Sequence, residues 1–199
     1  DAISMVQTVD GALVEAESML QRMRELAVQS KSGTMSSTDR AALDTEFEAL
    51  DAEILRISQD TEWNGTKLLD GSLNASASTS FQVGANASQT ITVDFADFST
   101  DGASSISAQT TEALATKGTL VGLTTSTFGS GTVATDLDDL DIGDSATNAG
   151  AAITAIDFAL DKTNSHLATL GSVINRLEYA ADNLSNVAQN TSASRSRIL

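Results

Sequence analysis

The feature that most limits what this chain can fold into is a heptad seam that begins almost at its first residue. Val6, Val9, Leu13, Ala16, Leu20, Met23, Ala27 and Ser30 fall at alternating steps of three and four and are nearly all apolar. That is the spacing of a helix edge packed along a partner. It predicts one unbroken helix over residues 2–30, about 43 Å long at 1.5 Å per residue. A second column at sevens, Met5, Ala12, Met19 and Leu26, makes the apolar stripe wider than one partner helix covers. The helix is therefore expected to touch at least two neighbours. Its length exceeds the diameter of an ordinary compact domain, so the molecule is expected to be a rod.

Long helices also account for the absence of proline from all 199 residues, where an average usage of about 5% would supply roughly ten. With no cysteine either, disulfides and thiolate metal sites are excluded and stability must come from packing, for which 41% apolar content suffices. The formal net charge of −16 would repel nucleic acid and anionic membrane alike. No apolar run approaches the roughly 20 residues of a membrane span, and no basic-then-apolar signal peptide opens the chain. Neither nucleic-acid binding nor membrane insertion is expected. An opening at Asp1 without methionine, with heptads starting at once, reads as an excised fragment.

After Ser30 the pattern breaks. Gly33 suits a helix C-terminus, and Ser36 with Asp39 three residues on has the form of a capping box. Leu43, Phe47, Leu50, Ile54 and Ile57 then predict a second helix over about residues 38–60. Asp39, Asp44, Glu46, Glu48, Asp51 and Glu53 occupy its other positions and read as a solvated face, on which Asp44→Lys or Glu48→Lys should be nearly neutral. Asn64-Gly65 is a strong turn dipeptide because both residues accept positive φ. Residues 81–95, FQVGANASQTITVDF, alternate and are β-branched, which predicts a β-hairpin turning at 84–88. Residues 99–136 are rich in Ser, Thr and Gly and read as a small β- and loop-rich insert. From Ala149 a third seam runs through Ile153, Ile156, Leu160, Thr163, Leu167, Leu170, Ile174, Leu177, Ala181, Leu184, Ala188 and Thr191. A helix of some 39 residues is expected there, about 58 Å long. The termini should then meet at one end of the bundle, with the β-rich middle an excursion from the other.

Chemistry-bearing clusters are few. His166 is the single histidine and flanks the third seam, where it reads as a solvated edge residue. A catalytic triad or zinc site is excluded by residue count, and Gly129-Ser130-Gly131 lacks the remainder of any nucleotide-binding loop. No enzymatic activity and no cofactor are expected. Asp136, Asp138, Asp139, Asp141 and Asp144 crowd into one short stretch, and such carboxylate density can hold calcium. The spacing fits no EF-hand, with no glycine at the sharp turn and no closing glutamate, so a metal is not expected. The Asn-x-Ser/Thr triplets at Asn64, Asn74, Asn86, Asn183 and Asn190 are assigned no role.

The segments DAISMVQTVDGAL, LQRMRELAVQS, TEWNGTKLL, FQVGA with its acidic strand, and LGSVINRLEYAADNLSNVAQNTSASRSRI, in that order, together resemble the core of bacterial flagellin, the subunit of the flagellar filament. The resemblance covers residues 1–98 and 137–199. It implies a mainly α fold with a smaller β part: an elongated antiparallel long-helix bundle carrying the hairpin at about 81–95. The insert 99–136 stands where flagellins place hypervariable outer domains. It also implies a secreted, extracellular protein of the flagellum or cell surface, with other flagellin subunits as partners and the hairpin mediating contacts along a protofilament. Flagellins carry further terminal helices that line the filament's inner tube and carry the export signal. Both are absent here, so this fragment is expected to stay monomeric. The resemblance extends to the segment sensed by a Toll-like receptor of animals, matched here by Gln21, Arg22, Glu25, Leu26 and Gln29, with Glu46 on the second helix. Arg22 and Leu26 are four apart, so one helix face could offer a cation beside an apolar anchor.

A different class of function is a flagellin-like cell-surface protein that binds a polysaccharide or host ligand through residues 99–136. That stretch holds Phe128 as its one aromatic, so it lacks the stacking platforms that sugar sites exploit. Solution scattering tests the rod common to both readings. The radius of gyration should lie well above the roughly 16 to 17 Å of a compact chain of this length, and a value in that range would sink the elongated fold.

Overall fold

The computed structural model describes residues 1–70, 72–75, 79–84, 86, 88–95, 98, 140–143 and 145–198. The insert 99–136 lies outside them. Helix α1 spans Ala2–Ser30, as its seam predicts, and every seam residue from Val6 to Ser30 is buried. In the second column Met5 and Leu26 are buried, while Ala12 and Met19 are half-buried. The helix ends with Lys31 in right-handed conformation, its N–H returning to the Ala27 carbonyl at 3.0 Å. Gly33 takes no part in that cap and does not adopt positive φ; closure by the right-handed residue makes it unnecessary.

Helix α2 covers Ser37–Asp60 and opens on the expected capping box. The Ser36 hydroxyl accepts the Asp39 N–H, and the Asp39 carboxylate accepts the Ser36 N–H, each at 3.2 Å. Its buried stripe is Phe47, Asp51, Ile54 and Ser58. The helix is thus rotated from the face its apolar residues suggest, leaving Leu43, Leu50 and Ile57 half-buried. Asp51, expected in solvent, is 6% exposed. Asp44 departs from the solvated face too, for a reason given below.

A tight hairpin follows, β1 (Glu62–Trp63) against β2 (Thr66–Lys67). Asn64 at φ 52° and Gly65 at φ 76° form its turn, a conformation that only residues tolerant of positive φ supply at both positions. A single 3-10 turn covers Ser72–Ala75. The hairpin read at 81–95 is present as β3 (Thr79–Gln82) and β4 (Thr90–Val93), antiparallel with Phe81 opposite Ile91. Its connection is closed by the Val83 N–H donating to the Gln89 carbonyl at 2.8 Å. A Cβ at position 84 would collide with the Gln89 side chain, so that connection requires glycine.

Helix α3 spans Ala146–Ile198, 53 residues and about 80 Å, longer than the 39 residues its seam suggests. It starts earlier because the Ser145 hydroxyl accepts the Asn148 N–H at 3.2 Å, an N-cap. It continues later because nothing after Thr191 breaks a helix and Arg195 and Arg197 sit in the last turn, where cations complement the helix dipole. The helix runs antiparallel to α1, with Arg24 beside Asp157 and Lys31 against Gly150. Counted along that pairing, α1 runs out near Tyr179. The last buried residue of α3 is Leu177, and the helix overshoots α1 by about 30 Å. The termini therefore share an end of the bundle without meeting.

The described β elements do not stand beyond the bundle. Ile91, Val93, Phe95 and Phe98 join the same apolar cluster as Leu20, Phe47 and Leu170, and Phe98 touches His166 near the middle of the α1–α3 pairing. The hairpin lies on the flank because alternation on β4 gives it an apolar face, Ile91 and Val93, that only the helices can cover. Two polar contacts hold the chain where it re-enters the bundle. Asp44 Oδ1 accepts the N–H of buried Ile142 at 3.0 Å, and the Ser30 hydroxyl donates to the Ile142 carbonyl at 2.5 Å.

Leu170→Asp should cost several kcal/mol by placing a carboxylate in the shared core, enough to unfold a domain of ordinary stability; Glu48→Lys, on an exposed position, should be neutral. Asp44→Ala should cost about 1 to 3 kcal/mol by stranding the Ile142 N–H, with Asp44→Asn milder because an amide oxygen still accepts. Chemical denaturation measures all four, and an Asp44→Ala variant as stable as wild type would remove the re-entry contact from the account.

Candidate functional site

Two exposed features could do something beyond holding the fold: the outward face of α1 with its α2 neighbour, and the overshooting end of α3. The first contains the residues matched to receptor recognition. Gln21, Arg22, Glu25 and Gln29 are all exposed on α1, and Glu46 is exposed on α2. Arg22 links the two helices, donating to Glu46 at 2.9 Å and, through Nη1, to Glu25 at 3.0 Å. The bonds to Glu46 and then Glu25 raise its pKa above the ordinary arginine value, so the cation is permanent and sits in a fork of carboxylates. Gln21 donates to Glu17 at 3.1 Å.

Leu26 does not belong to this surface. It is 1% exposed because it falls in the second apolar column, which faces the bundle, and it cannot be an anchor for a partner without unpacking the core. The apolar groups that α1 does present outward are Val14 and Val28, each about half exposed and in register with Gln21 at steps of seven. The sequence pattern obscured them because isolated valines on a polar face interrupt no seam. On its other flank α1 is joined to α3 by Arg24, whose Nε donates to Asp157 at 2.5 Å. That pairing connects residues 133 apart in the chain and left no local signature.

Beyond Leu177 the third seam continues as a surface. Every residue at 181–197 is exposed, and Tyr179, Leu184 and Val187 are 76%, 40% and 53% exposed. The heptad predicts a helix there without indicating whether a partner covers it.

Of the acidic cluster, Asp136, Asp138, Asp139 and Asp144 lie outside the described residues. Asp141 accepts the Gly143 N–H at 2.7 Å, a local turn contact. Among the described residues no three carboxylate or histidine side chains are grouped as metal ligands would be. His166 is half-buried rather than a solvated edge, because the hairpin covers that flank of α3.

The arrangement offers surfaces for association. Comparison with known proteins identifies the family. The bacterial flagellin N-terminal helical region matches residues 1–74, and the bacterial flagellin C-terminal helical region matches residues 153–199. Flagellin of Bacillus subtilis is 37% identical across the whole of this chain, which spans 64% of that protein. Flagellin E of Vibrio cholerae is 32% identical, again over the whole chain and 71% of its own length. The crystal structure of Bacillus cereus flagellin superposes with a TM-score of 0.65 at 30% identity, covering 98% of this chain and 92% of that one. On the match at both ends and the likeness along its full length, the chain belongs to the bacterial flagellin family.

Proposed function

We propose that this chain is the core of a flagellar filament subunit that works outside the cell by packing its helical rods side by side and end to end. Family membership carries the reading. The geometry supports it: α3 offers a long apolar seam past Leu177 on which further helices can pack, while the hairpin and the outward face of α1 provide distinct surfaces. Two different complementary surfaces generate an open helical array where one self-complementary surface would close into a dimer. Residues 1–98 and 137–199 form the rod in this reading, with 99–136 as a variable insert. Cells deleted for the gene should lose their filaments in electron micrographs and fail to swim, and both should return on complementation. Persisting filaments would refute the assignment. The 199-residue chain alone should sediment as a monomer, and filaments grown from it would show that these surfaces suffice.

The reading extends to an animal Toll-like receptor, through Gln21, Arg22, Glu25, Gln29 and Glu46. Leu26, buried in the core, lies outside this surface, and Val28 supplies exposed apolar area on the same helix. Arg22→Ala should weaken binding to the purified receptor ectodomain roughly ten- to hundredfold, as loss of an interface arginine anchor does. It should leave the melting temperature unchanged, because solvent screens the exposed pairs it makes. Equal affinities, or no binding by wild type, would reject this surface.

A further inference from the structure

Helix α3 has an outer face that neither of the surfaces above includes. From Phe158 to Tyr179, the positions at steps of three and four that lie opposite buried Thr163, Leu170 and Leu177 are all exposed, and they form one stripe about 32 Å long. Its ends are aromatic. Phe158, beside the Lys162 ammonium, is 37% exposed, and Tyr179 is 76% exposed. Inside them stand Asp161 and Arg176, which take no part in the ion pairs among the described residues; those belong to Arg22, Arg24 and Arg56. Between the two charges the stripe is small, with Ser165, Ala168 and Ser172.

Reversed end for end, the stripe is its own complement. Phe158 lies as far before the midpoint between Ala168 and Thr169 as Tyr179 lies after it, and the same midpoint relates Asp161 to Arg176 and Ser165 to Ser172. We propose that this face of α3 binds the same face of a second copy, the two helices antiparallel about a two-fold axis that passes between Ala168 and Thr169. Aspartate then meets arginine twice, and Phe158 meets Tyr179 at both ends. The serines and Ala168 allow close approach at the centre. At a shallow crossing of about 20° the axes diverge outward, where the larger aromatic side chains fill the widening gap.

Charge selects both the occupant and its direction. With a net charge of −16 two copies repel across most of their surfaces, whereas Asp161 and Arg176 cancel on this one. A parallel pair would instead set aspartate against aspartate and arginine against arginine. The contact is also small, one helix stripe a side where a stable interface has roughly 20 to 30 residues. The chain is therefore monomeric at the micromolar concentrations of a sedimentation run, and the pair fills as the concentration approaches the millimolar range. A two-fold contact closes on itself and cannot lengthen a filament, so the pairing is independent of the filament assignment.

The absence of native cysteine lets single replacements report the geometry by disulfide formation with an added oxidant, in samples near millimolar concentration. Ala168→Cys, beside the axis, should form covalent dimers much faster than Glu48→Cys on the exposed side of α2; equal rates would overturn the pairing. In an equimolar mixture, Ser165→Cys and Ser172→Cys should join to each other, because a disulfide needs Cα atoms within about 7 Å and like residues stand about 10 Å out of step in the antiparallel pair. Joining of each to itself would mark a parallel contact and reject the arrangement. Asp161→Arg or Arg176→Asp alone should slow dimer formation by Ala168→Cys about tenfold, and the two together should restore it, since every aspartate again faces an arginine. The melting temperature should stay the same throughout, both positions being exposed. No loss in either single variant, or no recovery in the double one, overturns the proposal.

Discussion

A helix whose apolar stripe is wider than one neighbour can cover must lie between two. That requirement on α1 organises the rest of the described structure. Its first column and the widened edge at Met5 and Leu26 are buried together only because α2 lies on one side and α3 along the other. Each fully buried leucine, valine or methionine contributes about 1.5 to 3 kcal/mol, and α1 alone places Val6, Val9, Leu13, Leu20, Met23 and Leu26 at 1% exposure or less. The arginine pairs on its flanks, Arg22 with Glu46 and Arg24 with Asp157, are about half exposed and screened by water. Burial decides the bundle, and the ion pairs lie over the seams it has already closed.

Polar contacts matter where the chain leaves the heptads. A backbone N–H at a fully buried position must find an acceptor, and Ile142 finds Asp44 on α2 while its carbonyl takes the Ser30 hydroxyl from the end of α1. One residue thereby bonds to both of the other helices just before α3 begins. The buried Thr163 hydroxyl instead returns to its own helix, donating to the Ala159 carbonyl at 2.8 Å. That satisfies it without asking anything of a neighbour.

Features with a local cause were legible in the sequence. The limits of α1 follow from its spacing, the start of α2 from a reciprocal cap within four residues, and the first turn from two residues that accept positive φ. What escaped was decided by residues far apart. Apolar spacing on α2 selects Leu43, Leu50 and Ile57, yet the packed face includes Asp51 and Ser58, and a carboxylate facing inward leaves no apolar mark. Asp44 looks like any surface acid until Ile142, 98 positions away, needs an acceptor. On the candidate site, Arg22, Glu25 and Glu46 were legible as surface charges. Leu26 was misjudged because spacing of four from Arg22 says that two residues are neighbours on a helix, not that both face outward.

The two ends of the insert are secured by separate means. Before it, Phe98 is held by the Leu69 carbonyl and the His166 ring near the middle of α3; after it, Ile142 is held by α1 and α2 near the start of α3. Both anchors are made by residues on either side of that stretch: Leu69, Phe98 and His166 for one, Ser30, Asp44 and Ile142 for the other. Joining two fixed points costs only about 0.6 kcal/mol more for each doubling of the length of chain between them, so anchors built this way place little constraint on the length of the sequence that separates them.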